Sequence, residues 1–175
     1  MKNGKSQFFV ILVGYLVSAA LIVWIAWVGE DKAGLLGSQL PYLDGGMVNS
    51  NYLPVSIILN NYSIYIGVFL GALVSLLMFF LIEPDKINGG HHFPKVFIGC
   101  VLVVFALIFM TIIMNRSDLV NANYMFRAFS YSYISTVFYY LLSLFFFYVM
   151  SLISVLGLVV LPLMMAINKM KKAGV

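Results

Sequence analysis

Four stretches of this chain are apolar enough to cross a bilayer, and not one charged residue or histidine falls inside them: Phe8–Val28, Tyr62–Ile82, Val96–Met114 and Ser135–Ile167. A hydrocarbon core about 30 Å thick is crossed by roughly 20 helical residues, so each stretch is long enough to span. Hydrophobic residues make up 63% of the chain and charged residues 9%, with a mean hydropathy of +1.03. A soluble domain is about half apolar and a quarter charged. The expected fold is therefore an all-α integral membrane protein, one transmembrane domain over residues 1–175. It is read as a four-span helical bundle with a short, partly ordered outer cap.

The first run follows Lys2 and Lys5 and is stopped by Gly29, Glu30, Asp31 and Lys32. It exceeds the roughly 7–15 apolar residues of a secretory signal and ends in Trp24 and Trp27, which suit an interfacial anchor. An uncleaved first span is expected, with Ala19–Ala20 the place where a cleavage site would fall. From Gly29 to Asn61 the chain mixes Gly34, Gly37, Gly45 and Gly46 with Pro41, Pro54 and several Asn, which punctuate against a long helix. The short run Val55–Leu59 is expected to lie in the headgroup region or fold back on the bundle as part of the cap.

Between the second and third spans lies a polar turn from Glu83 to Lys95. The stretch from Asn115 to about Tyr133, polar but rich in Tyr and Phe, is expected to run along an interface. The last apolar segment is too long for one perpendicular crossing, since a straight helix over Ser135–Ile167 measures roughly 50 Å. Two readings stand. One is a single long helix, tilted or broken, bending most readily at Pro162. The other is a hairpin turning near Ser151, Ser154 and Gly157, which leaves about 16 residues a side and an uncharged turn, so the single helix is preferred.

Charge placement bears on the same choice. With four spans, Lys2, Lys5, Lys86, Lys95, Lys169, Lys171 and Lys172 fall on one side and Lys32, Arg116 and Arg127 on the other, seven of the ten basic residues against three. Basic residues near span ends favour the cytoplasm, so both termini are expected there. The net charge of +4 then reflects topology and not nucleic-acid binding.

Functional intramembrane sites usually carry ionisable groups, because such groups are costly in lipid and persist only when paired or wetted. None is present in the spans. His91 and His92 are adjacent, lack a ligand spacing and read as solvated turn residues; Cys100 is the single cysteine and reads as apolar packing. There is no nucleophile elbow, phosphate loop or facing carboxylate pair. No enzyme activity, metal or cofactor is expected.

What remains is helix surface. Gly67, Gly71 and Ser75 form a small-residue stripe at steps of four, with Gly14 and Ser18 at the same spacing in the first span. Such stripes let helices approach closely, either within the bundle or against a partner. Tyr131, Tyr133, Tyr139 and Tyr140 are expected to form an outer aromatic belt anchoring the chain in lipid or docking another membrane protein. Asn61-Tyr62-Ser63 and Asn115-Arg116-Ser117 fit the glycosylation acceptor pattern on the outer side.

The functional expectation is a non-enzymatic membrane protein acting by intramembrane protein–protein association, as a small subunit, assembly factor or immunity or exclusion factor. Its expected partners are the lipid bilayer and other integral membrane proteins or further copies of itself, in a bacterial inner membrane. This layout resembles that of the immunity proteins that block some pore-forming colicins. The alternative is a homo-oligomeric channel, holin or small-solute transporter, for which Ser63, Ser75, Thr111, Ser143, Ser151 and Ser154 would be a sparse polar lining.

Overall fold

A computed structural model describes residues 2–37, 53–82, 93–114 and 127–173. The described chain forms α1 (Lys2–Gly37), α2 (Leu53–Leu81), α3 (Phe93–Met114), a 3-10 turn (Ala128–Ser130), α4 (Tyr133–Val155), a π-turn (Leu156–Val160) and α5 (Leu161–Ala173). Among the described residues, four helices are long and apolar enough to cross a membrane: Gly4–Val28, Val55–Leu81, Phe93–Ile113 and the continuous rod Tyr133–Ala173. The protein is an all-α integral membrane bundle of four helices.

Two boundaries differ from the sequence reading, and both differences shrink the expected cap. α1 continues to Gly37, because Glu30, Asp31 and Lys32 end the apolar crossing without ending the helix. α2 begins at Leu53, so Val55–Leu59 is the first part of the second helix and not a separate segment of the cap. Pro54 is compatible with this start, since the first turn needs no backbone N–H from it. Val55, Ile58 and Leu59 are buried at helical spacing, and Asn60 and Asn61, which look like turn residues in sequence, are buried in the helix interior. Residues 38–52, the rest of the expected cap, lie outside the described residues, as do the Glu83–His92 turn and residues 115–126.

Contacts fix the topology. Gln7 at the start of α1 donates to the Leu81 carbonyl at the end of α2 at 3.4 Å. Tyr148 reaches Ile11 and Tyr133 reaches Ala26, so α1 and α4 also run antiparallel. Gly67 lies against Leu144–Tyr148 and Gly71 against Tyr148–Leu152, which makes α2 and α4 parallel, while Cys100 of α3 meets Gly157. Helix direction thus alternates along the chain, and its first and last helical residues share one end of the bundle. α2 and α4 form the closest pair, α1 covers both, and α3 packs chiefly on α4 and the π-turn.

The apolar core gathers Ile22, Ile25 and Ala26 of α1, Ile58, Leu59 and Ile64 of α2, and Tyr140, Leu144 and Phe147 of α4. A helix that is apolar on every face turns its unpacked sides to lipid. α3 is the extreme case: 6% of its most apolar stretch is buried inside the protein, against 44% for the most apolar stretch of the Tyr133–Ala173 rod.

The start of α4 is built by side chains. Ser132 caps it, accepting from the Ser135 N–H at 3.1 Å, while the Ser132 N–H donates back to Ser135 Oγ. Thr136 Oγ1 then donates to the Phe129 carbonyl at 2.8 Å and ties the preceding 3-10 turn to the helix. This reciprocal cap satisfies backbone donors that no turn of helix precedes.

The last apolar segment is one rod of 41 residues, and the hairpin reading is set aside. Pro162 lacks an N–H and its ring crowds the carbonyl four residues back. The backbone answers with the π-turn immediately before it, in which the Leu161 N–H reaches back to the Leu156 carbonyl. The irregularity expected at Pro162 thus sits one turn earlier, where the carbonyls must be displaced.

Candidate functional site

The small residues singled out from sequence, Gly14, Ser18, Gly67, Gly71 and Ser75, converge on one seam where α1, α2 and α4 meet. A Cβ placed on Gly67 would stand 2.8 Å from Phe147 Cβ and 3.1 Å from the Leu144 carbonyl oxygen. One on Gly71 would run into the Tyr148 carbonyl oxygen and come within 3.0 Å of Ser151 Cβ. Only glycine permits α2 and α4 to approach this closely, and the third small residue, Ser75, is fully buried in the same contact.

Close approach brings hydroxyls within reach of the opposing backbone. Ser151 Oγ donates to the Val68 carbonyl at 2.7 Å. In the reverse direction, Ser75 Oγ lies 2.7 Å from the Leu152 carbonyl and 3.0 Å from that of Gly71, so the shorter contact crosses the seam. Each bond uses the second lone pair of a carbonyl, which suits an interior where water is scarce.

α1 joins through tyrosines. The Tyr148 hydroxyl donates to the Ile11 carbonyl at 2.9 Å, and a Cβ on Gly14 would sit 2.6 Å from that hydroxyl and 2.7 Å from Val74 Cγ2. Ser18, fully buried, donates to the Gly14 carbonyl at 2.7 Å. At the far end Tyr133 donates to the Ala26 carbonyl. Tyr148 was not singled out by sequence reasoning, yet it touches Gly67 and Gly71 with its backbone and Ile11 with its ring hydroxyl. Its position three residues before Ser151, on the face that faces Gly67 and Gly71, was the available signal.

All five stripe residues, Gly14, Ser18, Gly67, Gly71 and Ser75, therefore pack within the protein. The aromatic belt is corrected in part. Tyr131 is 65% exposed, but Tyr139 and Tyr140 are 8% and 0% exposed. They share the buried side of α4 with Thr136, Ser143, Leu144 and Phe147, and Tyr139 stacks at a tilt on Phe129 of the preceding turn, with ring centroids 5.2 Å from Tyr140 and 5.4 Å from Phe129. Tyr133 is half-buried through its bond to Ala26. Asn61 is likewise corrected as a glycosylation acceptor, because it is buried within α2; Asn115, His91 and His92 lie outside the described residues.

The six hydroxyls weighed as a pore lining are engaged. Ser63 donates to Asn60, Thr111 to Leu107, Ser143 to Tyr139 and Ser154 to Met150, all backbone carbonyls of their own helices. Ser75 and Ser151 bond across the seam. Laterally the surface is apolar. A groove of about 350 Å³ between α1 and α4 is lined by Val23, Trp27, Tyr133, Ile134 and Phe138, a shape suited to hydrocarbon or to an apolar side chain. The fold defines the class as integral membrane helical bundle; no protein-family model, curated protein or solved structure matches the chain.

Proposed function

We propose that this is a non-enzymatic membrane protein that works through lateral association with other integral membrane proteins, as a small subunit, assembly factor or immunity or exclusion factor. The observation that carries the reading is the small share of α3 that the bundle buries, 6% of its most apolar stretch against 17–44% in the other three spans. The small and polar residues of α1, α2 and α4 are engaged with one another, whereas α3 leaves Phe97, Leu102, Phe105 and Phe109 exposed by 41% or more. Those side chains are available for shape-matched packing, the main driving force for helix association in lipid. The basic excess at the end shared by the termini supports a cytoplasmic placement of both, and a bacterial inner membrane is the proposed location.

The channel reading finds less support, since the hydroxyls that would line a wet passage already donate to backbone carbonyls, two of them across the close-packed seam. Extraction of native membranes in polymer-bounded discs, followed by mass measurement, tests the proposal. A stoichiometric second polypeptide, lost when Leu102, Phe105 and Phe109 are changed together to Ala, is the expected result. A homo-oligomer that conducts ions in liposomes, or discs holding this chain alone, would overturn it.

A further inference from the structure

The end of the long rod has a construction that the bundle does not require. α2 and α4 run in register, with Gly71 beside Tyr148 and Ser75 beside Leu152. Leu81, the last residue of α2, is therefore level with the π-turn at Leu156–Val160, and Gln7 of α1 is bonded to that same Leu81. α5 continues past this level for 13 residues, about 20 Å of helix. Among the described residues, the π-turn is the element to which its backbone lies nearest.

Its faces differ. Met164 and Asn168 are buried on one side. On the opposite side Leu163 and Met170 are 50% and 51% exposed, with Ala166 between them. Lys169 and Lys171 flank this apolar strip on either side, Lys172 follows, and all three are exposed. No acidic residue occurs in α5. Lys5 and Lys95, also exposed, lie at the same end of the bundle. A straight continuation along the bilayer normal would carry Leu163 and Met170 into water. An apolar strip bordered by lysines is the pattern of a helix lying in the headgroup layer, its apolar side towards the acyl chains and its ammonium groups at the phosphates.

We propose that α5 is an interfacial anchor for anionic phospholipid, hinged on the π-turn and Pro162. The π-turn supplies the hinge because its wider hydrogen-bond loops and the missing Pro162 N–H leave the rod weakest at the membrane surface. Lys169, Lys171 and Lys172 select negatively charged headgroups, and the strip Leu163–Ala166–Met170 inserts beneath them.

The test uses the full chain in nanodiscs of phosphatidylcholine alone or mixed with phosphatidylglycerol, with a nitroxide on M170C in a C100A background. Collision with lipid-soluble oxygen against a water-soluble nickel chelate reports depth. Expected is a lipid-embedded label in the phosphatidylglycerol discs that moves towards water in pure phosphatidylcholine or at high salt. In the anionic discs, each lysine changed to Gln should lower the embedded-to-aqueous ratio roughly fivefold. A second nitroxide at L102C should face lipid in every disc, which shows that the bundle is intact. A Met170 label equally deep in both lipids, or indifferent to the Lys→Gln changes, would overturn the proposal.

Discussion

The hydroxyl of Tyr148 donates to the carbonyl of Ile11 at 2.9 Å, joining the first and last spanning helices across the groove beside Gly14. Y148F removes this bond and little else, because the Ile11 carbonyl lies within α1 and the ring remains. Hydrogen bonds between membrane helices average about 0.6 kcal/mol and reach about 1.7. Reversible unfolding in mixed micelles should show a loss within that range.

Gly14 and Gly99 make opposite demands. A Cβ on Gly14 would meet two side-chain atoms at 2.6 and 2.7 Å, whereas nothing lies within 4 Å of a Cβ on Gly99. G14A should destabilise by about 1–3 kcal/mol, the usual cost of overpacking. In a Y148F background the cost should fall, since one of the two obstructing atoms is gone. G99A should be neutral or stabilising by up to about 1 kcal/mol through helix propensity. The same unfolding titration reads all three variants.

Cys100 and Gly157 interlock where α3 meets the π-turn. A Cβ on Gly157 would overlap Cys100 Sγ, and that sulfur donates weakly to the Ile153 carbonyl at 3.8 Å. G157A should loosen α3 from the rod, seen as faster labelling of the otherwise buried thiol by a membrane-permeant maleimide. C100A combined with G157A should recover stability relative to G157A alone, a coupling that a double-mutant cycle measures directly.

Burial separates two leucines of equal size. Leu144 is fully buried and Leu102 is 62% exposed. L144A should cost about 2–5 kcal/mol by leaving a cavity, while L102A exchanges one lipid-facing apolar side chain for another and should leave the stability of the isolated protein within about 0.5 kcal/mol. An equal loss at both sites in the purified protein would mean that α3 is not peripheral.

The four spans were legible because charge is excluded from lipid far more strictly than any propensity rule is obeyed, so the gaps marked themselves. Helix ends were not. Glu30–Lys32 reports where the membrane stops, while the backbone of α1 continues to Gly37. Asn60–Asn61 reads as a break, yet both residues are buried within α2. The stripe on Gly67, Gly71 and Ser75 was visible as a close-approach surface, but spacing on one helix carries no information about which helix arrives. Tyr139 and Tyr140 misled because tyrosine suits both an interface and a core. The deciding signal was their register with Thr136, Ser143, Phe147 and Ser151, which lie on one side of α4, all of them buried.

The central structural claim is that the Gly67–Gly71–Ser75 stripe is filled by the protein's own α4, and G71L tests it most directly. With unfolding and particle mass measured on the same detergent-purified sample, the bundle should lose its cooperative unfolding transition, because a branched side chain cannot share space with the Tyr148 carbonyl. A variant that keeps wild-type stability but no longer associates with another chain would contradict the account, placing the stripe on an external interface instead.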